Sequence, residues 1–582
     1  MSWAHRPKLL EWVLASEPDP ALVNTLQAGT GIAATILKIL INRNHDSLEK
    51  IERFLHPKLA DLRDPFTMQG MQEGIDRVTR ALFDNEKIMI YGDYDVDGIT
   101  ATSLLYMVLN KLGAQVDFYL PNRLVEGYGL SSKGIDEAKS KGVTLIITVD
   151  TGITAVEEVK YARSQGIDVV VTDHHEPGFA LPETVAIIDP KQDACDYGGD
   201  LAGVGVAFKF AQALYRNLNQ NEQELEEHLD LVALGTSADI VPLVGENRVL
   251  TKYGIRQIAR TTKPGLKSLA FISGLMGKDI STGQVVFILA PRINALGRLG
   301  DAHQAIRLLS TKDERVASQI ARKLDDENKH RKEIDEQTLR EALEQMGRVV
   351  DLENDRAIVL AAEGWHQGVI GIVASRLVER YHLPTVMISL NGGVGKGSAR
   401  SIPGFHLCEA LKECEHLLIK YGGHKYAAGL SIESKNIDKF RELFKEVSKK
   451  FLSQEDVTPK LYIDHELELT EIDDDLLRTI ESFSPFGPQN LRPLFLTRNC
   501  EVVGQPYTVG NNHLKMRVRK GDSSFEVIGY GFGDMAQVIS DKGCMVDIVY
   551  TIEYNTYNNT TRIQIRLRDI KLTAGDMSPR YQ

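Results

Sequence analysis

Lys87-Ile88-Met89-Ile90-Tyr91-Gly92-Asp93-Tyr94-Asp95-Val96-Asp97-Gly98 decides the fold of this chain. Its apolar half reads as a buried strand, and carboxylates on alternate residues follow before Gly98 and a helical pattern. Alternate residues of extended backbone point the same way, so Asp93, Asp95 and Asp97 are expected to converge at the strand's end. Crowded anions repel unless a cation sits among them, and hard oxygen ligands suit Mg²⁺ or Mn²⁺. Taken alone, the pattern is equally that of an acidic turn whose aspartates cap the next helix.

Two further stretches favour the metal. Val143 to Val149 is a second apolar strand ending at Asp150, and Ile167 to Val171 is a third ending in Thr172-Asp173-His174-His175. In a doubly wound parallel sheet the carboxyl ends of the strands form the site, at the switch in strand order. Adjacent imidazoles at a strand end cannot both face the core, so one is read as a ligand and its neighbour as facing substrate. Further on, an apolar helical run breaks at Gly235, and Asp239 on the following turn is the remaining carboxylate for a two-metal site. Between the first two acidic strands runs a glycine-punctuated loop, Pro121-Asn122-Arg123 and Glu126-Gly127-Tyr128-Gly129-Leu130. Arg123 there either grips a phosphate or is a solvated loop residue.

A length of 582 residues suffices for roughly three or four domains. No stretch approaches the roughly 18 apolar residues that span a bilayer, and Met1 to Pro7 lacks the apolar core of a signal peptide. Five scattered cysteines form no CxxC pair and read as reduced thiols, which points to the cytoplasm. The net charge of −12 excludes a simple basic coating protein. It leaves a nucleic-acid substrate open, because affinity depends on local basic surface.

The patterns divide the chain into a helical lead-in at 1–70, a βαβ-type domain at 71–310, a charged connector helix at 311–346, a second α/β domain at 347–455 and short alternating strands at 456–575. Arg298 lies in a polar, glycine-rich, doubly basic stretch before the connector. In the second α/β domain, Gly397-Ser398-Ala399-Arg400 and Tyr421-Gly422-Gly423-His424 suggest a substrate-gripping face, since glycines admit close approach and Ser and Arg donate to phosphate. The C-terminal strands read as a small β-barrel. Lys515, Arg517 and Arg519 share one strand face, and Arg562, Arg566 and Arg568 another. With Tyr530, Tyr554 and Tyr557 nearby, these faces suit single-stranded nucleic acid; the polar outer faces of an ordinary barrel are the alternative.

Together these motifs resemble the DHH phosphoesterase superfamily, most closely its RecJ branch of bacterial single-strand-specific exonucleases, along nearly the whole chain. The resemblance implies an α/β fold: a parallel-sheet DHH domain and a second α/β DHH-associated domain joined by a long helix, with a C-terminal OB-like β-barrel. It implies two divalent cations, Mn²⁺ or Mg²⁺, with Asp95 and Asp97 each favouring a different one, Asp150 bridging, and His174 and Asp239 completing one shell. Asp150 and His175 are then the catalytic residues, His175 lying close to the scissile phosphate. Arg123, Arg298, Ser398 and Arg400 would hold a terminal 5′-phosphate, and Gly422, Gly423 and His424 would meet substrate on the associated domain. The pyrophosphatase branch has a histidine where this chain has Tyr91, and Asp93 is the expected substitute ligand.

The implied activity is two-metal hydrolysis removing 5′-mononucleotides from single-stranded DNA in the 5′→3′ direction, in recombination and repair. A cleft between the α/β halves would admit one strand but not a duplex. Implied partners are single-strand-binding protein and a RecQ-like helicase, for a monomer that binds no membrane and works at the nucleoid. Two alternatives stand beside this. A DHH hydrolase of pyrophosphate, cyclic dinucleotides or short oligonucleotides would have no need of the barrel. A catalytically silent single-strand-binding replication scaffold would have no need of the intact carboxylate and histidine set.

Overall fold

The computed structural model describes residues 10–122, 126–193, 195, 197–299, 301–540, 545–557 and 560–573. Arg123 and Cys544 therefore lie outside the described residues; Cys195, Cys408, Cys414 and Cys500 are free thiols. Contacts divide the chain into two units, one of Lys58–Glu341 with Pro485–Leu491, the other of Met1–Pro57, Ala342–Ser484 and Arg492–Gln582.

The first unit is built on a five-stranded parallel sheet in the order Gln115–Tyr119, Lys87–Tyr91, Leu145–Val149, Asp168–Thr172, Ala186–Ile188. Successive side chains point to opposite faces. Ile88 and Ile90 therefore enter one core with Leu145, Ile147 and Val149, while Met89 and Tyr91 enter the other with Ile146, Val169 and Val171. Helices Met71–Phe83, Val96–Lys111 and Gly203–Asn217 cover the first face, and Ser132–Ser140 and Val156–Ser164 the second. Burial on both faces is why these strands read as unbroken apolar runs. The strand Lys87–Tyr91 has its sequence-successor on one side and Leu145–Val149 on the other, which makes its carboxyl end the switch point of the sheet.

Among the described residues the second unit holds a two-stranded sheet and two large ones. One has the order Leu418–Gly423, Ala427–Glu433, Val394–Arg400, Thr385–Asn391, Ile358–Glu363, with only the last pair parallel. In the other, Phe495–Val502 pairs with both Met545–Tyr557 and His513–Lys520, and Ser523–Tyr530 and Thr560–Leu572 complete a closed barrel. A 36-residue helix, Glu314–Val349, continues the chain from the first unit into the second. This is the α/β architecture with a terminal OB-like barrel expected from the sequence.

Two features differ from the sequence-based division. The stretch read as a helical lead-in also contains the strand Glu11–Leu14, which pairs in parallel with Lys460–Ile463, and Trp12 Nε1 donates to Asp569 at 2.6 Å. Four residues with a partner some 450 positions away leave no local periodic signal. The segment Pro485–Leu491, flanked by barrel sequence, belongs by contacts to the parallel-sheet unit, where Leu243 N donates to Pro488 O at 2.8 Å. No helix among the described residues is long and apolar enough to cross a membrane.

Candidate metal centre

The strand at the switch point stops at Tyr91, so the aspartates do not alternate on extended backbone as expected. Asp95 is instead the N-cap of helix Val96–Lys111, its Oδ1 accepting from the amides of Asp97 and Gly98 at 3.0 and 3.1 Å, and Asp97 lies in the first turn. Open amides and the helix dipole favour anions there. Capping thus coexists with a geometry that could hold a metal: the tight turn, not a strand, gathers the carboxylates. A Cβ on Gly98 would lie 2.6 Å from Asp93 O, so the turn closes only around glycine. Asp93, Asp95 and Asp150 present oxygens within 4.8 Å of one another.

Asp97 is held from a distant part of the chain. Its two oxygens accept from the amides of Gly203 and Val204, at 2.6 and 2.9 Å, where helix Gly203–Asn217 begins. Glycines make the room: a Cβ on Gly203 would come 2.7 Å from the Asp150 Cβ, and one on Gly235 would come 2.8 Å from Asp97 Oδ1. Asp150 follows Val149 with φ +60°, a left-handed conformation that Asp and Asn tolerate best among non-glycine residues. His174 Nε2 lies 3.0 Å from Asp150 Oδ1, 3.7 Å from Asp239 Oδ2 and 3.8 Å from Asp97 Oδ2.

Burial, and then the neighbouring carboxylates, push Asp97 and Asp150 well above the usual carboxylate range and raise Asp95. Burial also pulls His174 down, which favours the neutral imidazole that ligates metals. Asp239 Oδ2 is buried without a hydrogen-bond partner, a rare condition for a polar atom that a cation resolves. Carboxylate oxygens with one imidazole fit Mn²⁺ or Mg²⁺. Among the described residues three candidate ligand sets can be drawn, Asp93–Asp95–Asp150, Asp97–His174–Asp239 and Asp150–His174–His175.

His175 is held differently. Its Nδ1 lies 2.7 Å from Asp173 Oδ1, which also accepts from His174 N at 2.7 Å, while Asp173 Oδ2 accepts from Ile153 N at 2.9 Å. Burial opposes charge on the ring, but the Asp173 hydrogen bond and charge outweigh it and lift His175 to about 9. Burial would raise Asp173, yet the His175 hydrogen bond holds it low. Asp173, to which the sequence pattern assigns no role, is the partner that fixes His175. Tyr91 is no stand-in ligand, since its hydroxyl accepts from Ser131 N at 3.1 Å and donates to Gly129 O at 3.3 Å.

Among the phosphate-binding candidates, Arg298 sits in helix Ala290–Leu299 beside Gly297, where a Cβ would meet Tyr94 O at 2.5 Å, so this helix packs on the acidic turn. In the second unit, Arg400 Nη1 donates to Ser398 Oγ at 3.1 Å on one face of Val394–Arg400. Gly422 pairs with Gly429, and Gly429 with Ser398, giving a row across three strands that is bare of side chains at two positions. Gly423 has φ +143°, and His424, exposed in the hairpin turn, donates its amide to Ala427 O at 2.8 Å. On the barrel, Arg566 lies 4.9 Å from the centroid of the Tyr530 ring. The basic faces carry their own carboxylates, with Arg519–Glu501 at 2.7 Å and Arg517–Glu526 at 3.5 Å. Exposed pairs are worth at most about 1 kcal/mol, so phosphate can replace them.

Three family descriptions match the chain in series: "DHH family, N-terminal domain" over residues 87–236, "DHHA1 domain" over 354–450 and "RecJ OB domain" over 463–569. The single-stranded-DNA-specific exonuclease RecJ of Bacillus subtilis (strain 168) is 40% identical over 98% of this chain and 72% of its own length. The protein of the same name from Escherichia coli (strain K12) is 35% identical over 86% of this chain and 90% of its own. The crystal structure of RecJ in complex with Mn²⁺ from Thermus thermophilus superposes with a TM-score of 0.83 at 29% identity, covering 97% of this chain and 79% of that one.

Proposed function

The chain belongs to the RecJ family of DHH phosphoesterases, and from that membership and its acidic centre we infer a metal-dependent exonuclease that degrades single-stranded DNA from the 5′ end to 5′-mononucleotides, in recombination and repair. The observation that carries the reading is the convergence of Asp93, Asp95, Asp97, Asp150 and Asp239 with His174 at the switch point of the sheet. Divalent cations, Mn²⁺ or Mg²⁺, supply there the charge that neutralises phosphoryl oxygens and the activation of water. Asp93, Asp95 and Asp150 would hold one cation and Asp97, His174 and Asp239 the other. The amides of Gly203 and Val204 keep Asp97 in place.

His175, aimed by Asp173, faces an oxygen of the scissile phosphate. Arg298, Ser398, Arg400 and Arg123 grip the terminal 5′-phosphate, and Gly422, Gly423 and His424 bring a bare backbone face to the strand. Residues 71–310 then carry the chemistry and 347–455 and 456–575 carry strand binding, with Tyr530 and Arg566 as a stacking and charge pair. The enzyme works as a cytoplasmic monomer at the nucleoid, on ends exposed by a RecQ-like helicase and coated by single-strand-binding protein.

The test is a long 5′-phosphorylated single strand, labelled at either end, incubated with Mn²⁺. Immediate release of the 5′ label as mononucleotide is expected, abolished by EDTA, by pairing into duplex or by Asp150→Asn. Inert long strands together with rapid hydrolysis of dinucleotides or pyrophosphate would overturn the reading.

A further inference from the structure

The loop Glu126-Gly127-Tyr128-Gly129 is built with more care than a connection between strands needs. The Glu126 carboxylate, 6% exposed, accepts from Asn122 N at 3.0 Å, Tyr119 Oη at 2.8 Å and Ser131 Oγ at 2.7 Å. Tyr91 is a second post, reaching Gly129 O and Ser131 from the sheet. Between these anchors Gly127 and Gly129 take φ of +88° and +86°, so the backbone is left-handed on both sides of Tyr128. A Cβ on Gly129 would lie 3.4 Å from Thr151 Oγ1, which brings the loop down onto the turn that carries Asp150.

Tyr128 is 50% exposed as a residue, yet its hydroxyl is buried in the site. It lies 3.2 Å from Asp150 O and 3.2 and 3.3 Å from Nδ1 and Nε2 of His175, with the two rings edge to face at 5.6 Å. Asp173 at 2.7 Å already accepts the Nδ1 hydrogen bond. The Asp150 carbonyl can only accept, so the tyrosine donates to it, while the phenol oxygen stays within hydrogen-bond distance of both nitrogens of the His175 ring. One hydroxyl thereby links the imidazole to the backbone of the left-handed aspartate.

We infer that Tyr128 is a positioning residue for hydrolysis: its hydroxyl ties the His175 ring to the Asp150 turn and so holds the imidazole where the scissile phosphate meets it. Asp173 sets the rotation of the ring and Tyr128 sets its distance from the acidic turn. The inference rests on the reading of His175 as the phosphate-facing group. A ring this exposed would otherwise serve as a platform for a base, and the two roles separate on removal of the hydroxyl alone.

The experiment is a double-mutant cycle with Mn²⁺ and a 5′-phosphorylated single strand, comparing wild type, Tyr128→Phe, His175→Ala and the double variant by steady-state and single-turnover rates. Tyr128→Phe is expected to lower kcat about 10–100-fold, with KM, the Mn²⁺ concentration for half-activation and the melting temperature unchanged. In the His175→Ala background the same substitution should cost less than about threefold. Equal losses in both backgrounds, or a raised KM with kcat intact, would overturn the inference while leaving His175 in its role. Full activity in His175→Ala would instead remove the reading on which the inference rests.

Discussion

Raising the pH should destabilise the metal-free protein and strengthen its response to Mn²⁺. Asp95, Asp97 and Asp150 are all raised, by burial first and by a neighbouring carboxylate second, Asp239 for Asp95 and Asp97 and Asp97 for Asp150. A raised carboxyl holds its proton in the folded chain after the unfolded chain has lost it, which happens above about pH 4. Stability from this source is complete below that pH and falls as pH climbs towards the folded values. Each retained proton costs about 1.4 kcal/mol per pH unit over the window in which only the folded chain holds it. Metal binding must expel these protons. Mn²⁺ at a hundredfold excess over its dissociation constant adds about 2.7 kcal/mol, and at a fixed Mn²⁺ concentration the increment should grow with pH as that constant falls.

Asp150→Asn isolates the effect. Asn accepts the +60° φ as readily as Asp, so the turn survives, but the side chain has no proton to retain. Without metal, the variant's stability should fall less steeply than that of wild type, by about 1.4 kcal/mol per pH unit, and its Mn²⁺ response should be lost. His175 and Asp173 titrate in both proteins and cancel in the difference. The assay is calorimetric unfolding with EDTA or Mn²⁺, read on the transition that Mn²⁺ shifts in wild type. Identical pH slopes for the two proteins, or a Mn²⁺ increment that does not change with pH, would refute the reasoning.

Gly203→Ala would push a methyl to 2.7 Å from the Asp150 Cβ while disturbing the amide that holds Asp97; the Mn²⁺ concentration for half-maximal activity should rise about 10–100-fold, measured by metal titration. Arg566→Ala removes the cation over the Tyr530 ring; it should weaken long-strand binding and lower the salt slope of that binding by about 1, while hydrolysis of a 5′-phosphorylated dinucleotide stays unchanged.

What the sequence determined by itself was the sheet and the acids at its carboxyl edge. Ile88, Ile146 and Val170 lie in runs apolar on both faces, and only a sheet covered on both sides makes such runs. Asp93, Asp150 and His174 come directly after the strands, so their neighbourhood follows from parallel pairing alone. Tertiary structure decided how the site is assembled. Asp95 and Asp97 meet their partners through a helix cap that alternation did not foresee. Asp97 is clamped by amides more than a hundred residues away, and Tyr128 reaches His175 across 47 positions. The strand Glu11–Leu14 exists only because Lys460–Ile463 lies beside it. Periodicity reports which face a residue buries, because burial repeats with the backbone. It carries no record of which distant amide, hydroxyl or strand edge will be waiting there, and those contacts exist only once the chain has folded.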